Sequence, residues 1–462
     1  MFSNSFSRAT LALLALSLAI FPGFGCAGGT KEAKTALEQV TLTYWRVFDD
    51  SDTFSDIISA YRQMHPNVRI DYKKLRYDEY QKELIQAFAE DRGPDIFSVQ
   101  NAGIKGMLPL IMPMPDTVKI AYQETKGTIK KETIVVLRTE PTLSIRSLND
   151  QFVQVVSDDV IYPVTQDGET KNRIHGLPLS VDSLALYYNR DLLDAAGIPE
   201  PPKTWGEFKD AIIKLTKYDA KGKIAQSGAA IGYGSNIDRS SDILSLLMMQ
   251  IGARLSDARG FATFAEKAPG ERVAPAVDAV RFYTDFANPT KEVYTWSPSF
   301  TSSFDAFAAG QTAFFFGYSY HSPLLKTRSP KLRFAVSVVP QLEGGKKANI
   351  ANYWIETVSK KTKNPDWAWD FVQFAAKAEQ AKLFLAKAKK PTALRSVVLG
   401  QLDDATLAPF ADQVLTAEDW YNGKDPIAAD KIMEQMIDDI VDGTQLIEDA
   451  IKNAQSAVNQ TI

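Results

Sequence analysis

The sequence predicts an α/β fold of two or more lobes. Segments with strand character alternate with amphipathic helical ones from residue 40 onward, the pattern of a parallel sheet with right-handed crossovers. A chain of 462 residues is also too long for one ordinary core. Ligands of such sheets gather beyond the carboxyl ends of the strands, so a site is expected there.

VTLTYWRVF (Val40–Phe48), rich in β-branched and aromatic residues, predicts the first strand. Phe54, Ile57, Ile58, Tyr61 and Met64 then recur at helical spacing, with Ser51 or Asp52 placed to cap the helix and Pro66 marking its end. VRIDY alternates as a second strand, with Val68, Ile70 and Tyr72 on one face. YDEYQKELIQAFAE is a second helix and GPDIFSV a third strand. This order puts Trp45 to Asp50 and Ser98 to Asn101 on one edge. Residues 111–160 predict one or two extra strands and carry no functional motif. Thr204 and Glu207 form a capping box at the start of a helix through TWGEFKDAIIKL. SSDILSLLMMQIGA and AVDAVRFYTDFAN read as helices. SFDAFAAGQTAFFFGYSYHS runs from a helix through a glycine turn into a strand. RFAVSVVP and ANIANYWIETVS are strand-like, and a helix follows Asn364-Pro365.

Composition is that of an ordinary globule, with 45% hydrophobic and 23% charged residues, and the net charge of −4 argues against nucleic acid. Arg8 and the apolar run Leu11–Phe21, followed by PGFGC, make a secretory signal, predicted to end at residue 25. Cys26 is the only cysteine, so no intrachain disulfide is available. Its place after Gly25 resembles the lipobox of bacterial lipoproteins, with Gly23 departing from the usual pattern. That resemblance implies acylation of Cys26, with residues 26–39 as a flexible tether and the protein anchored at the outer face of the cytoplasmic membrane.

No phosphate loop, HExxH or GxSxG motif occurs. The three histidines, His65, His175 and His321, have no metal-ligand spacing, and His65, after a helix and before a proline, reads as a solvated helix end. Paired carboxylates for glycoside hydrolysis leave no local spacing rule, so that class stays open. Aromatic residues next to polar ones recur at predicted strand ends and loops: YWRVFDD, VDSLALYYN, YGSNIDR, TWSPSF, FFFGYSYHS and ANYWIE. An aromatic plate beside carboxylates, amides and arginine suits a sugar, which has an apolar C–H face and a rim of hydroxyls. Any one of these rings also fits a core position, as Phe314–Phe316 do.

The order of motifs resembles the extracellular solute-binding proteins of ABC importers, of the maltodextrin and sugar-binding type. The matching pieces are VTLTYW, GPDIFSV, the stretch His175–Phe208, FAAGQTAFFFGY, NYWIETVSK with NPDWAWDFVQF, and PTALRSV. The resemblance implies a two-lobe periplasmic-binding-protein fold of type II with interlobe hinge strands. Lobe 1 would comprise residues 40–182 plus 338–378, and lobe 2 residues 183–337 plus 379–462. It implies ligand contacts from Trp45, Arg46, Asp49, Gln100 and Asn101 in the first lobe. Asp182 would lie on the cleft floor, met by a ligand, a water or an arginine, since an unpaired buried charge is costly. Asn236 and Arg239 would come from the second lobe, with Tyr318 or Tyr320 as the plate. Tyr353, Trp354 and Arg395 are further candidates, and Arg239 and Arg395 equally suit ion pairs. Tyr187-Tyr188 are expected to pack the second lobe, and Trp205 a helix start. The implied protein is a monomer that needs no cofactor, catalyses nothing, and hands a carbohydrate to permease subunits in the membrane. A surface-anchored hydrolase, a sensor for a membrane kinase, and a peptide, polyamine or phosphate-ester ligand are the alternatives.

Overall fold

The computed structural model describes residues 37–127, 131–257, 259–267 and 270–462. The expected signal segment, Cys26 and most of the tether lie outside these. Residues 121–138 form a unit separate from residues 39–120 and 139–462. They are the outer part of a hairpin between Thr117–Lys126 and Glu132–Pro141, and these are the extra strands expected in 111–160. In this hairpin Arg138 pairs with Glu124 and lies over the Tyr122 ring.

Within the larger unit, alternation of strand and helix builds a five-stranded sheet in the order Val68–Leu75, Val40–Val47, Ile96–Gln100, Trp354–Val358, Leu177–Pro178. The first three run parallel, and Trp354–Val358 joins antiparallel with Trp354 opposite Gln100. The crossover helices Ser51–Met64 and Tyr77–Ala89 bury Phe54, Ile57 and Tyr61, and Tyr80, Leu84 and Phe88. The cap expected at Ser51 or Asp52 is not there: both are already helical, and Asp50 holds the cap position without a side-chain bond. His65 also departs from its expected solvated place. It is buried, 4.8 Å from the Tyr61 ring and 5.1 Å from Trp367, and burial lowers its pKa to about 4.

A second sheet runs Lys217–Tyr218, Ile224–Ala229, Thr312–Gly317, Ala185–Asn189, Phe334–Ser337. Every residue of Thr312–Gly317 is buried. Each of its Phe side chains contributes about 2–3 kcal/mol by leaving water. Tyr187 lies fully buried in this core, and Trp205 packs on Phe208 and Phe316 while donating to Gln250 (2.7 Å). The capping box at Thr204 and Glu207 is present. Helices Pro426–Val441 and Ile447–Val458 add Met433, Ile437 and Ile451 to the same cluster.

Between these sheets lie three short strands, Ala417–Glu418, Asn349–Asn352 and Asp182–Ser183, with Asp182 opposite Asn352. The chain reaches Asp182 from the first sheet and leaves into the second, and the reverse crossing runs through Asn352. These are the hinge strands of a two-lobe α/β fold of type II.

One expected boundary moves. Residues from 379 onward were assigned to the second lobe, yet Phe384 packs 5.2 Å from Phe54, and Lys387 donates to Ser55 (2.9 Å). The apolar face of helix Ala378–Ala388 therefore covers the first sheet's helix. Only later do residues such as Phe410 and Trp420 enter the second lobe's clusters.

Candidate functional site

The parallel strands of the first sheet stop at Val47 and Gln100, and their carboxyl ends present Phe48, Asp49 and Asn101. Phe48 has φ +65°, a left-handed backbone that a bulky residue adopts only under constraint, and is 48% exposed. Its ring stacks on Tyr77 at 5.4 Å and meets Trp354 edge-on at 5.9 Å. Tyr320, from the turn after Thr312–Gly317 in the second sheet, lies parallel to Phe48 within 7° at 6.4 Å. It is 41% exposed and continues into a stack on Tyr318, 6.2 Å away. Four rings, from elements of both sheets' lobes, thus meet at one place, with Phe48, Tyr77 and Tyr320 partly exposed.

Asp49 is held beside this cluster by Arg46 (3.0 Å) and by both oxygens on Lys390 (2.8 and 2.9 Å). Asp182 lies on the hinge strand, buried. Its Oδ2 accepts from the Ser319 N–H (2.9 Å) and hydroxyl (2.6 Å), and its Oδ1 accepts from the Ser183 N–H (2.9 Å). No arginine meets it among the described residues. Backbone and hydroxyl donors suffice because burial pushes the carboxyl up to about 7, with those donors and the Lys390 charge pulling it back.

A second, polar assembly adjoins the hinge. Gln100 donates to Asn352 (3.1 Å), while Asn101 Nδ2 reaches the carboxylates of both Asp419 (3.0 Å) and Asp159 (3.4 Å). Tyr353 donates its hydroxyl to Asp159 (2.6 Å). Neither Asp159 nor Asp419 has a cation in ion-pair range among the described residues. Burial raises Asp159 to about 7 and Asp419 well above the usual carboxylate range, the latter also through the charge of Asp159. On the second-sheet side Arg239, with φ +60°, forks onto Asp242 (2.7 and 2.8 Å) and reaches Asp430 (2.9 Å). Tyr318 and Trp420 also donate to Asp242, at 2.5 and 3.2 Å. Gln100, Asn101, Arg239, Asp242, Asp419 and Asp430 line a cavity of only ≈ 10 Å³, room for about one water.

Of the expected residues, Tyr320 and Trp354 enter the aromatic cluster, with Asp49 and Asp182 beside it, while Gln100, Asn101, Arg239 and Tyr318 belong to the polar assembly. Others are absorbed elsewhere. Trp45 is buried under Lys73, 4.3 Å from its ring centre. Arg46 is fully committed inside the first lobe, to Asp49 and to Glu356, which also accepts from Tyr44 and Ser98. Asn236 is a loop brace, accepting from Trp296 (2.9 Å) and donating to the carbonyls of Ser297 and Phe300. Tyr353 is buried against Asp159. Arg395 sits in the first turn of helix Arg395–Gln401, half-buried and without an ion pair among the described residues. Phe48, Tyr77, Lys390, Asp159 and Asp419 were missed. Phe48 lies inside YWRVFDD, a stretch already marked by its rings next to acids; Tyr77 and Lys390 carry no local signal.

Residues 56–410 match the profile of the bacterial extracellular solute-binding proteins. A binding protein of Brucella abortus is 24% identical over 49% of this chain and 51% of its own, so the chain spans about half the length of that curated relative. The maltodextrin-binding protein of Bacillus subtilis is 24% identical over 84% of this chain and 88% of its own. Among solved structures, the cyclic α-maltosyl-1,6-maltose binding protein of Arthrobacter globiformis superposes with a TM-score of 0.67. It is 19% identical and covers 92% of this chain and 99% of its own. None of the described helices is long and apolar enough to cross a membrane.

Proposed function

Because the chain belongs to the bacterial extracellular solute-binding proteins, we propose that it captures a saccharide between its lobes and delivers it to an ABC permease. One observation carries the reading: Phe48 and Tyr320, from opposite lobes, are parallel within 7° and both partly exposed. Two such plates suit the C–H faces of a pyranose, while Tyr77 and Trp354 extend the apolar wall. Asp49 and Lys390, next to Phe48, and the amide of Gln100, opposite Trp354, are polar groups that would meet hydroxyls. Contacts from both lobes would stabilise the closed form, and only that differential contact can drive closure about the Asp182 and Asn352 strands. The maltodextrin-binding relative and the cyclic-maltooligosaccharide-binding structure support a glucan-like solute. The chemistry is capture and release, without turnover. Cys26 would anchor the protein by its acyl chains at the outer face of the cytoplasmic membrane, and fractionation of Cys26→Ser should then find it in the soluble phase.

The test is a thermal-shift and tryptophan-fluorescence titration with maltotetraose, mannobiose and galactobiose, set against amino acids and glycerol phosphate. A saturable response to at least one saccharide, recovered unhydrolysed, is expected. A response confined to the non-sugar compounds overturns the reading.

A further inference from the structure

The segment that carries Tyr320 is a tight turn between strand Thr312–Gly317 and helix His321–Arg328. Three ties hold it. The Tyr318 N–H donates to His321 Nδ1 (2.9 Å), an acceptor because burial lowers that imidazole to about 3 and keeps it neutral. The Tyr318 carbonyl accepts from the Tyr187 hydroxyl (2.6 Å). Both of these come from the second lobe. The third tie does not: Ser319 donates its N–H and its hydroxyl to one oxygen of Asp182, on the hinge strand.

Tyr320 itself has no such tie. Its hydroxyl and backbone N–H make no hydrogen bond among the described residues, and its ring angle follows from the turn and from stacking on Tyr318 and His321. Ser319 is the residue directly before it. Releasing Ser319 from Asp182 would free its N–H, in the peptide between residues 318 and 319, and its side chain, leaving the Ser319 carbonyl's bond from the Ser322 N–H (3.2 Å) as the tie next to the exposed ring.

We infer that Asp182 is a positioning residue: through Ser319 it fixes the plane of Tyr320 against Phe48, and it does not itself contact the solute. This rests on the proposed aromatic clamp and replaces the direct ligand contact expected of Asp182. Both carboxylate oxygens already accept hydrogen bonds, three in all, and the carboxyl is buried, so little of it faces a guest. It also means that the hinge carries a group whose distant hydrogen-bond partner among the described residues is the turn bearing the plate. Plate angle and hinge conformation are then coupled without any ligand in between.

The experiment has two arms. In the first, 3-fluorotyrosine is carried at the Tyr320 position and its ¹⁹F line is recorded without sugar. Asp182→Ala should move the line from its stacked position toward that of a solvent-averaged tyrosine. Asp182→Asn, which keeps one acceptor oxygen, should fall between. A line unchanged in both variants overturns the inference, whatever the protein binds. Should Asp182→Ala fail to fold, Asp182→Asn and Ser319→Ala carry this arm.

In the second arm, maltotetraose affinity is measured for Asp182→Ala, Tyr320→Ala and the double variant. A positioning role predicts about a tenfold loss from Asp182→Ala alone, and less than about twofold further loss once Tyr320 is already alanine. Additive losses would mean that Asp182 touches the sugar, and would overturn the positioning role while leaving the clamp intact. Absence of maltotetraose binding in the unsubstituted protein counts against the choice of sugar, and the fluorine arm then decides alone.

Discussion

The aromatic cluster and the polar assembly lie on either side of the hinge strands and are built on opposite terms. Phe48, Tyr77 and Tyr320 keep between 41% and 54% of their surface exposed, and their side chains meet one another through ring contacts. The carboxylates near Asn101 and Arg239 are instead buried, as Asp159 and Asp242 are, or half-buried, as Asp419 and Asp430 are, and interlocked around a cavity of ≈ 10 Å³. One region has contacts left to make and the other has made them. On the proposed function, the first is where a guest would gain free energy, and the second is where the protein holds itself together.

Breaking the second region should therefore cost stability first. Arg239→Met leaves Asp242 facing only neutral donors and Asp430 with the Ser241 hydroxyl alone. Removing one partner of a buried ion pair typically costs 3–5 kcal/mol, and because Arg239 is a quarter exposed the lower end, about 3 kcal/mol, is expected. Chemical denaturation measures it. A variant as stable as the parent, with weakened sugar binding, would move Arg239 into the binding surface and dissolve the contrast.

Acidity sharpens the same contrast. Asp159 is raised to about 7 from a carboxylate value near 3.8. The groups facing it are Tyr353, Asn101, Asp158, Tyr162 and Asp419, and none is a cation. A raised folded-state pKa means that the native protein holds the proton more tightly than the unfolded chain. Its stabilising share is complete below about pH 4 and is lost as pH climbs through 7. The shift of about 3 units corresponds to at most about 4 kcal/mol for this group. Asp159→Asn should flatten the fall in unfolding free energy between pH 4 and 8, while Tyr77→Ala should leave that slope unchanged. An equal slope in Asp159→Asn would show that the proton sits elsewhere in the network.

How far the sequence announced these two regions follows from the range of the forces involved. Alternation of strand and helix, the buried Phe314–Phe316 strand, the Thr204 capping box and the hinge place of Asp182 are local patterns or survive as motif order, and they were legible. Arg46 and Asn236 were misplaced because a polar residue at a strand end looks the same in sequence whether it meets a ligand or a buried partner. Arg46 is taken by Glu356, 310 positions away. Lys390 and Asp419 escaped notice for the same reason, since their partners Asp49 and Asn101 are 341 and 318 positions distant. Nor does composition reveal backbone angle, the property that sets Phe48 apart from the other rings in its stretch.

That angle gives the smallest and most specific expectation. At an ordinary strand position, alanine is more stable than glycine because glycine loses more conformational freedom on folding. Phe48 has φ +65°, where a Cβ is crowded and glycine is not. Phe48→Gly should therefore be more stable than Phe48→Ala by about 1 kcal/mol, while both lose the plate and bind sugar equally weakly. The pair separates two roles of one residue, since stability would follow the backbone and affinity the ring. Alanine outranking glycine in stability would place the strain elsewhere in the loop, and the constraint on Phe48 would then lie in its ring contacts with Tyr77 and Trp354 rather than in its dihedral.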